Sequence, residues 1–239
     1  MRLVYGFTLA AALATLVPTL GAQAGAQDPN ASRAVAGGGI KVAGWTGKID
    51  DNPRENAGLT INDAKFAAEG KGFRVTTGPS VTYWNPANKA SGNYTVKATF
   101  NEPEYMNVNT HAHPYGIAIA GNDLDTPNMS ILYCSAYGDG RFIVRGFGPA
   151  AFPVNPRAEA NAAINKAAGK GSPVTQEIAV SVKGDKVECA VNGTVVGSYD
   201  KASIIGPGKL KSTDGVYGLR FGHNTDVVIT NFAVTNLPK

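Results

Sequence analysis

Short runs of alternating apolar and polar residues recur from residue 65 to the end of the chain, and each closes on Gly, Pro, Asn or Asp. They include GFRVTT, SVTYW, NYTVKATF, YGIAIAG, QEIAVSV, KVECAV, TVVGSY, GVYGLRFG and DVVITNFAVTN. Successive side chains of a strand point to opposite faces, so such runs predict half-buried strands. Many of them, punctuated by turn residues, predict an all-β sandwich or barrel.

Two hairpins can be placed residue by residue. SILYCSAY, the loop Gly138–Asp139–Gly140 and RFIVRGF predict pairing of Tyr133 with Arg145 and Cys134 with Val144. Leu132, Cys134, Ala136, Phe142 and Val144 then share a core face. Ile131, Tyr133, Tyr137, Arg141, Ile143, Arg145 and Phe147 share the other, which mixes aromatics with arginine. In the second hairpin a Gly184–Asp185 turn pairs Val182 with Val187 and Val180 with Cys189. Asn192–Gly193 predicts a further two-residue turn with both residues at positive φ. Between the hairpins, Asn155–Pro156 reads as an N-cap and first helical residue, alanines follow, and Gly169 stands where a C-cap would. The expectation is a two-sheet antiparallel jelly-roll sandwich with one short helix, residues 156–168, in a long excursion. That helix would serve as a lid or as a plug for an open end of the sandwich.

The termini and composition narrow the setting. Arg2, an apolar stretch from Leu3 to about Leu20 and small-x-small sites at Ala22–Ala24 and Ala24–Ala26 predict a signal peptide over 1–26. A flexible Gly-rich leader, 27–40, and a sandwich domain, 41–239, follow. An exported chain, periplasmic or extracellular, is expected, with no membrane insertion once the leader peptide is cleaved. The formal net charge of +4 comes from scattered lysines and arginines, which argues against a nucleic-acid partner. Two cysteines, Cys134 and Cys189, both on core faces, are either one disulfide or two buried thiols.

The closing strands GVYGLRFGHNTDVVITNFAV resemble those of concanavalin A-like jelly rolls, above all the 3-keto-disaccharide hydrolase domain family of exported bacterial proteins. The matching residues are Gly215, Gly218 and Leu219, then Asn231, Phe232 and Val234, with His223 one residue later than the family pattern. Cys189, Val191, Asn192, Gly193 and Val196 match its middle hairpin. The resemblance implies the sandwich over residues 45–236. The family's inward Glu has no counterpart here, and Arg220 stands where it carries Gln.

Candidate chemistry falls in three places. Tyr133, Tyr137, Arg141, Arg145 and Phe147, joined by Arg220 through strand parity, offer rings and planar donors for a sugar. Gly116, Ala118 and Ala120 would leave a hollow beneath them, and Phe147 and Phe152 would close over it. The plain alternative is cross-strand packing without a ligand. His111 and His113, at alternate positions, can offer two imidazoles to one metal, with His223 as a third. Alternatively they sit in a loop entering the YGIAIAG strand. Asp123 and Asp125 lie in an oxygen-rich loop suited to calcium, the one cofactor the sequence suggests, or to a solvated turn. Glu102 and Glu104, split by Pro103, do not make the paired carboxylates of a glycosidase. These residues point to a non-catalytic module for an oligo- or polysaccharide. A 3-keto-glycoside hydrolase or a structural or adhesion module remain the alternatives.

Overall fold

A computed structural model describes residues 31–238. The signal-peptide segment lies outside the described residues. The strands in chain order are β1 (Gly39–Ile40), β2 (Thr46–Ile49), β3 (Lys65–Glu69), β4 (Gly72–Thr76), β5 (Val81–Ala90) and β6 (Tyr94–Glu102). Then come β7 (Tyr115–Asn122), β8 (Ser130–Ala136), β9 (Arg141–Phe147), β10 (Ala151–Pro153) and β11 (Glu159–Ala160). The last are β12 (Val174–Lys183), β13 (Lys186–Val191), β14 (Thr194–Asp200), β15 (Gly215–Phe221) and β16 (Asp226–Asn236). They form two sheets, ordered β1-β3-β4-β16-β6-β12-β13-β14 and β10-β9-β8-β7-β15-β5-β2, with β11 also on β9. All pairings but β1 with β3 are antiparallel. The all-β sandwich expected from the pattern is the fold.

Alternation decides what lies between the sheets. Phe66, Val75, Val96, Phe100, Ile178, Val180, Val187 and Cys189 of the first sheet meet Tyr83, Tyr115, Ile117, Leu132, Cys134, Phe142, Val144 and Leu219 of the second. Both hairpins take the expected register, Tyr133 opposite Arg145 and Val180 opposite Cys189. Asn192 and Gly193 take positive φ, as their turn requires. Cys134 and Cys189 are joined in a disulfide, Cα atoms 5.9 Å apart, which ties β8 to β13 across the core.

Some placements differ from those expected. Residues 156–168 form no helix; the short helix, α1, is Lys201–Ile204. Ile164 is the one large apolar side chain of that segment in the core, so a helix there would bury little. Its asparagines also find better partners at a distance. Asn155 accepts from the Val144 N–H at 2.7 Å, and Asn165 exchanges hydrogen bonds with Gln176. β10 and β11 lie along the edge of β9 and cover it.

The described part of the leader is bound to the body. Gly39 and Ile40 pair with Lys65 and Phe66, and the Arg33 N–H donates to Asn224. Ala120 also leaves the face its parity assigned. A bulge between Ile119 and Asn122, with Ala120 at φ 60°, turns it into the core. Phe152 packs into the core as well, against Gly146, and covers no hollow.

The disulfide closes a sequence separation of 55 residues, a constraint worth about 4 kcal/mol in the chain-entropy account. Replacing both cysteines by alanine is expected to lower the unfolding free energy by about 2–4 kcal/mol, read from urea denaturation.

Candidate functional site

The face of the second sheet turned away from the core carries a cavity of about 940 Å³, within the range of small-ligand sites. Tyr133, Tyr137, Arg141, Arg145, Phe147 and Arg220 all line it, and so do His111 and His113. Strand parity brings them there. In β8 and β9 every second residue faces this side, and in β15 Leu219 and Phe221 enter the core while Arg220 points out. Beneath the cavity lies a second apolar layer of Trp84, Ala118, Leu124, Met129, Ile131, Tyr133 and Ile143. Ala118 packs within that layer, so it opens no hollow.

The three arginines are in different electrostatic states. Arg220 is buried, its side chain 7% exposed, and makes a two-pronged ion pair with Asp50. One of its amino groups also donates to Thr82 Oγ1 at 3.2 Å. Burial works against its charge, but Asp50 overrides that and holds the guanidinium above its usual pKa. It stacks 5.0 Å from the Tyr133 ring centroid and 5.6 Å from that of Phe147. Arg141 is held by Asp139 of its own hairpin loop, with Nε 2.8 Å from Oδ2, and lies 4.9 Å over Tyr137. Arg145 differs. Its Nε is buried without a hydrogen-bond partner, and among the described residues no carboxylate forms an ion pair with it. The rings of Tyr133 and Tyr137 thus serve as beds for guanidinium groups. Burial raises the pKa of both phenols, so they stay protonated at neutral pH.

His111, His113 and His223 meet on the cavity wall, their ligand atoms all within 4.8 Å of one another. His113 and His223 are buried and His111 is exposed. Burial, then the charges of His223 and His111, push the pKa of His113 down to about 3, so it is neutral. One main-chain bond and one side-chain amide bring the two loops together. The Gly222 N–H donates to the Pro114 carbonyl at 2.7 Å, and Asn109 donates to the Asn224 carbonyl at 2.8 Å. A Cβ on Gly222 would stand 2.8 Å from the Pro114 ring, so this approach needs glycine.

Asp123 and Asp125 are not part of this assembly. Asp123 is ion-paired with Lys211, its carbonyl accepts from Thr126, and Asp125 is exposed. His111, His113 and His223 are the one group of three or more His, Cys, Asp or Glu side chains able to share an ion among the described residues. The loop is a self-closed turn anchored by Leu124. Asp50, Thr82 and Lys48 of the cavity wall had no signal in the pattern, since Asp50 lies 170 residues from its partner Arg220.

Glu102 is buried, but it is not among the cavity-lining residues. Burial raises its pKa to about 7, with Asp226 and Asp139 adding to the shift and a hydrogen bond from the Met106 N–H opposing it.

A scan against protein-family models finds no match for the sequence, and a search of curated proteins finds none. Among solved structures, a Bacillus subtilis protein of unknown function with a galectin-like fold is similar at a TM-score of 0.54 and 13% identity. The match covers 80% of this chain and 89% of that one. The carbohydrate-binding module CBM66 from Bacillus subtilis is similar at 0.51 and 10%, over 83% and 99% of the two chains. The fold is a galectin-like sandwich. It agrees with the concanavalin A-like architecture that the closing strands suggested, and at these identities the likeness extends to architecture alone.

Two outcomes are expected. Asp50→Asn strands a buried guanidinium and should cost about 3–5 kcal/mol, whereas Asp50→Asn with Arg220→Met should recover much of the loss in a double-mutant cycle. Glu102 is protonated in both states below about pH 4.5. From there to about pH 7 the unfolded chain releases the proton and the folded chain keeps it, so stability falls as pH rises and then levels off. The loss is about 3 kcal/mol, and Glu102→Gln should remove that slope from unfolding curves measured between pH 4 and 8.

Proposed function

We propose that this chain is an exported, non-catalytic carbohydrate-binding sandwich. It holds an oligo- or polysaccharide in the cavity of the second sheet, with an acidic group of the sugar on Arg145. The observation that carries this reading is the state of that arginine. Arg220 and Arg141 are neutralised by Asp50 and Asp139, while Arg145 keeps a buried Nε without a partner and no ion pair among the described residues. A guanidinium in that state gains most from a planar carboxylate, or from two oxygens of a sulfate, either of which takes two parallel hydrogen bonds. The half-buried ring of Phe147 and the stacked guanidinium groups beside it give flat surfaces for the C–H faces of a sugar. The similarity of the fold to a carbohydrate-binding module supports the same class of ligand.

A second reading follows the 3-keto-disaccharide hydrolase resemblance, and the three imidazoles on the same cavity wall favour it. Turnover of a 3-keto-glucoside that is lost in His113→Gln would select this enzyme; a substrate that survives intact removes it.

For the binding module, an array of neutral and acidic glycans followed by calorimetry is the test. Acidic glycans should give signal, and Arg145→Gln should weaken binding roughly ten- to a hundredfold, the worth of one charge-assisted hydrogen-bond set. Absence of any glycan signal at high protein concentration would remove this function.

A further inference from the structure

We infer that His111, His113 and His223 form a binding site for one divalent transition-metal ion, of the zinc or cobalt class, on the wall of the cavity. Donor chemistry, scaffold and geometry carry this. The donor set is purely imidazole, which suits zinc, cobalt, nickel and copper and disfavours calcium and magnesium. The loops that present the imidazoles are fastened by the Gly222–Pro114 main-chain bond and by the Asn109 side-chain amide on the Asn224 carbonyl, which set the positions of the side chains.

His113, a residue only 8% exposed, supplies a buried Nε2 with no hydrogen-bond partner. An imidazole nitrogen in that state costs free energy unless something takes its lone pair, and a metal ion does so. It stands 3.8 Å, ring centroid to ring centroid, from His223 and 4.3 Å from His111. Ala112, between the two histidines, packs into an apolar cluster with Tyr105 and Val174.

The geometry is close to what coordination needs. Nitrogens about 2.1 Å from a tetrahedral ion stand about 3.4 Å apart. The ligand atoms, all within 4.8 Å of one another, must draw together by about an ångström. His111 is exposed and free to supply that movement by rotation. All three histidines line the cavity, so three protein ligands leave the fourth position facing it, as in zinc sites that keep one place for water or a ligand oxygen. This inference does not depend on the glycan reading.

The test uses the full chain without a histidine tag, stripped with a chelator and titrated with Zn²⁺ by calorimetry. One equivalent per chain is expected. Co²⁺ should bind at the same stoichiometry and give the intense visible d–d absorption of four-coordinate cobalt. His111→Gln, at the exposed position, should leave the circular dichroism and thermal midpoint of the metal-free protein unchanged and weaken Zn²⁺ binding at least tenfold. His223→Gln should do the same to affinity. No stoichiometric uptake, or uptake that persists in His111→Gln combined with His113→Gln, overturns the site. No sugar enters the experiment, so its failure and failure of the carbohydrate reading are separate results.

Discussion

The two-residue period of the β8–β9 hairpin is the constraint on which the rest of the molecule depends. Leu132, Cys134, Ala136, Phe142 and Val144 fill one side and close the core against the first sheet. Tyr133, Arg145 and Phe147 occupy the other and build the cavity. A slip of one residue would exchange the two sets, placing an unpaired arginine between the sheets and apolar side chains in water. Cys134 locks the assignment, because its bond to Cys189 holds only if that face looks inward. Core formation and site formation are therefore one event.

On this frame the cavity wall is assembled from elements distant in sequence. β15 contributes Arg220, the end of β2 leads into Asp50, and the ion pair between them joins two parts of the wall. Stacking on Tyr133 and Phe147 holds the guanidinium flat, so a charge that would be costly in a buried place becomes part of the wall's structure. Arg145 stands beside it without such neutralisation. The contrast between neighbouring arginines, one consumed by structure and one left available, gives the cavity its chemical direction.

The sequence disclosed what local geometry determines. Period and loop length set the hairpin registers, and a Gly- and Asn-rich turn admits few backbones, so pairs such as Tyr133–Arg145 and Val180–Cys189 were legible. Ala120 was not, because the bulge that turns it inward inserts an extra residue that no alternation pattern signals. Asn155–Pro156 carries a genuine helix-start signal, yet the asparagine oxygen instead meets the Val144 N–H, on the stretch of the β9 edge between its pairings with β10 and β11. Long-range pairs were closed to inspection for the same reason. Cys134–Cys189, Arg220–Asp50 and the approach of His223 to His111 and His113 depend on where strands cross, which residue type and spacing do not encode.

The glycine at 222 and its bond to the Pro114 carbonyl have a consequence for how such a molecule changes over time. The Gly222–Pro114 main-chain bond and the Asn109 side-chain amide fasten the two loops that present the imidazoles. Substitution at those positions can exchange one reactivity for another without dismantling the sandwich. That corner of the protein is a socket, in which architecture is conserved by backbone and chemistry is free to vary.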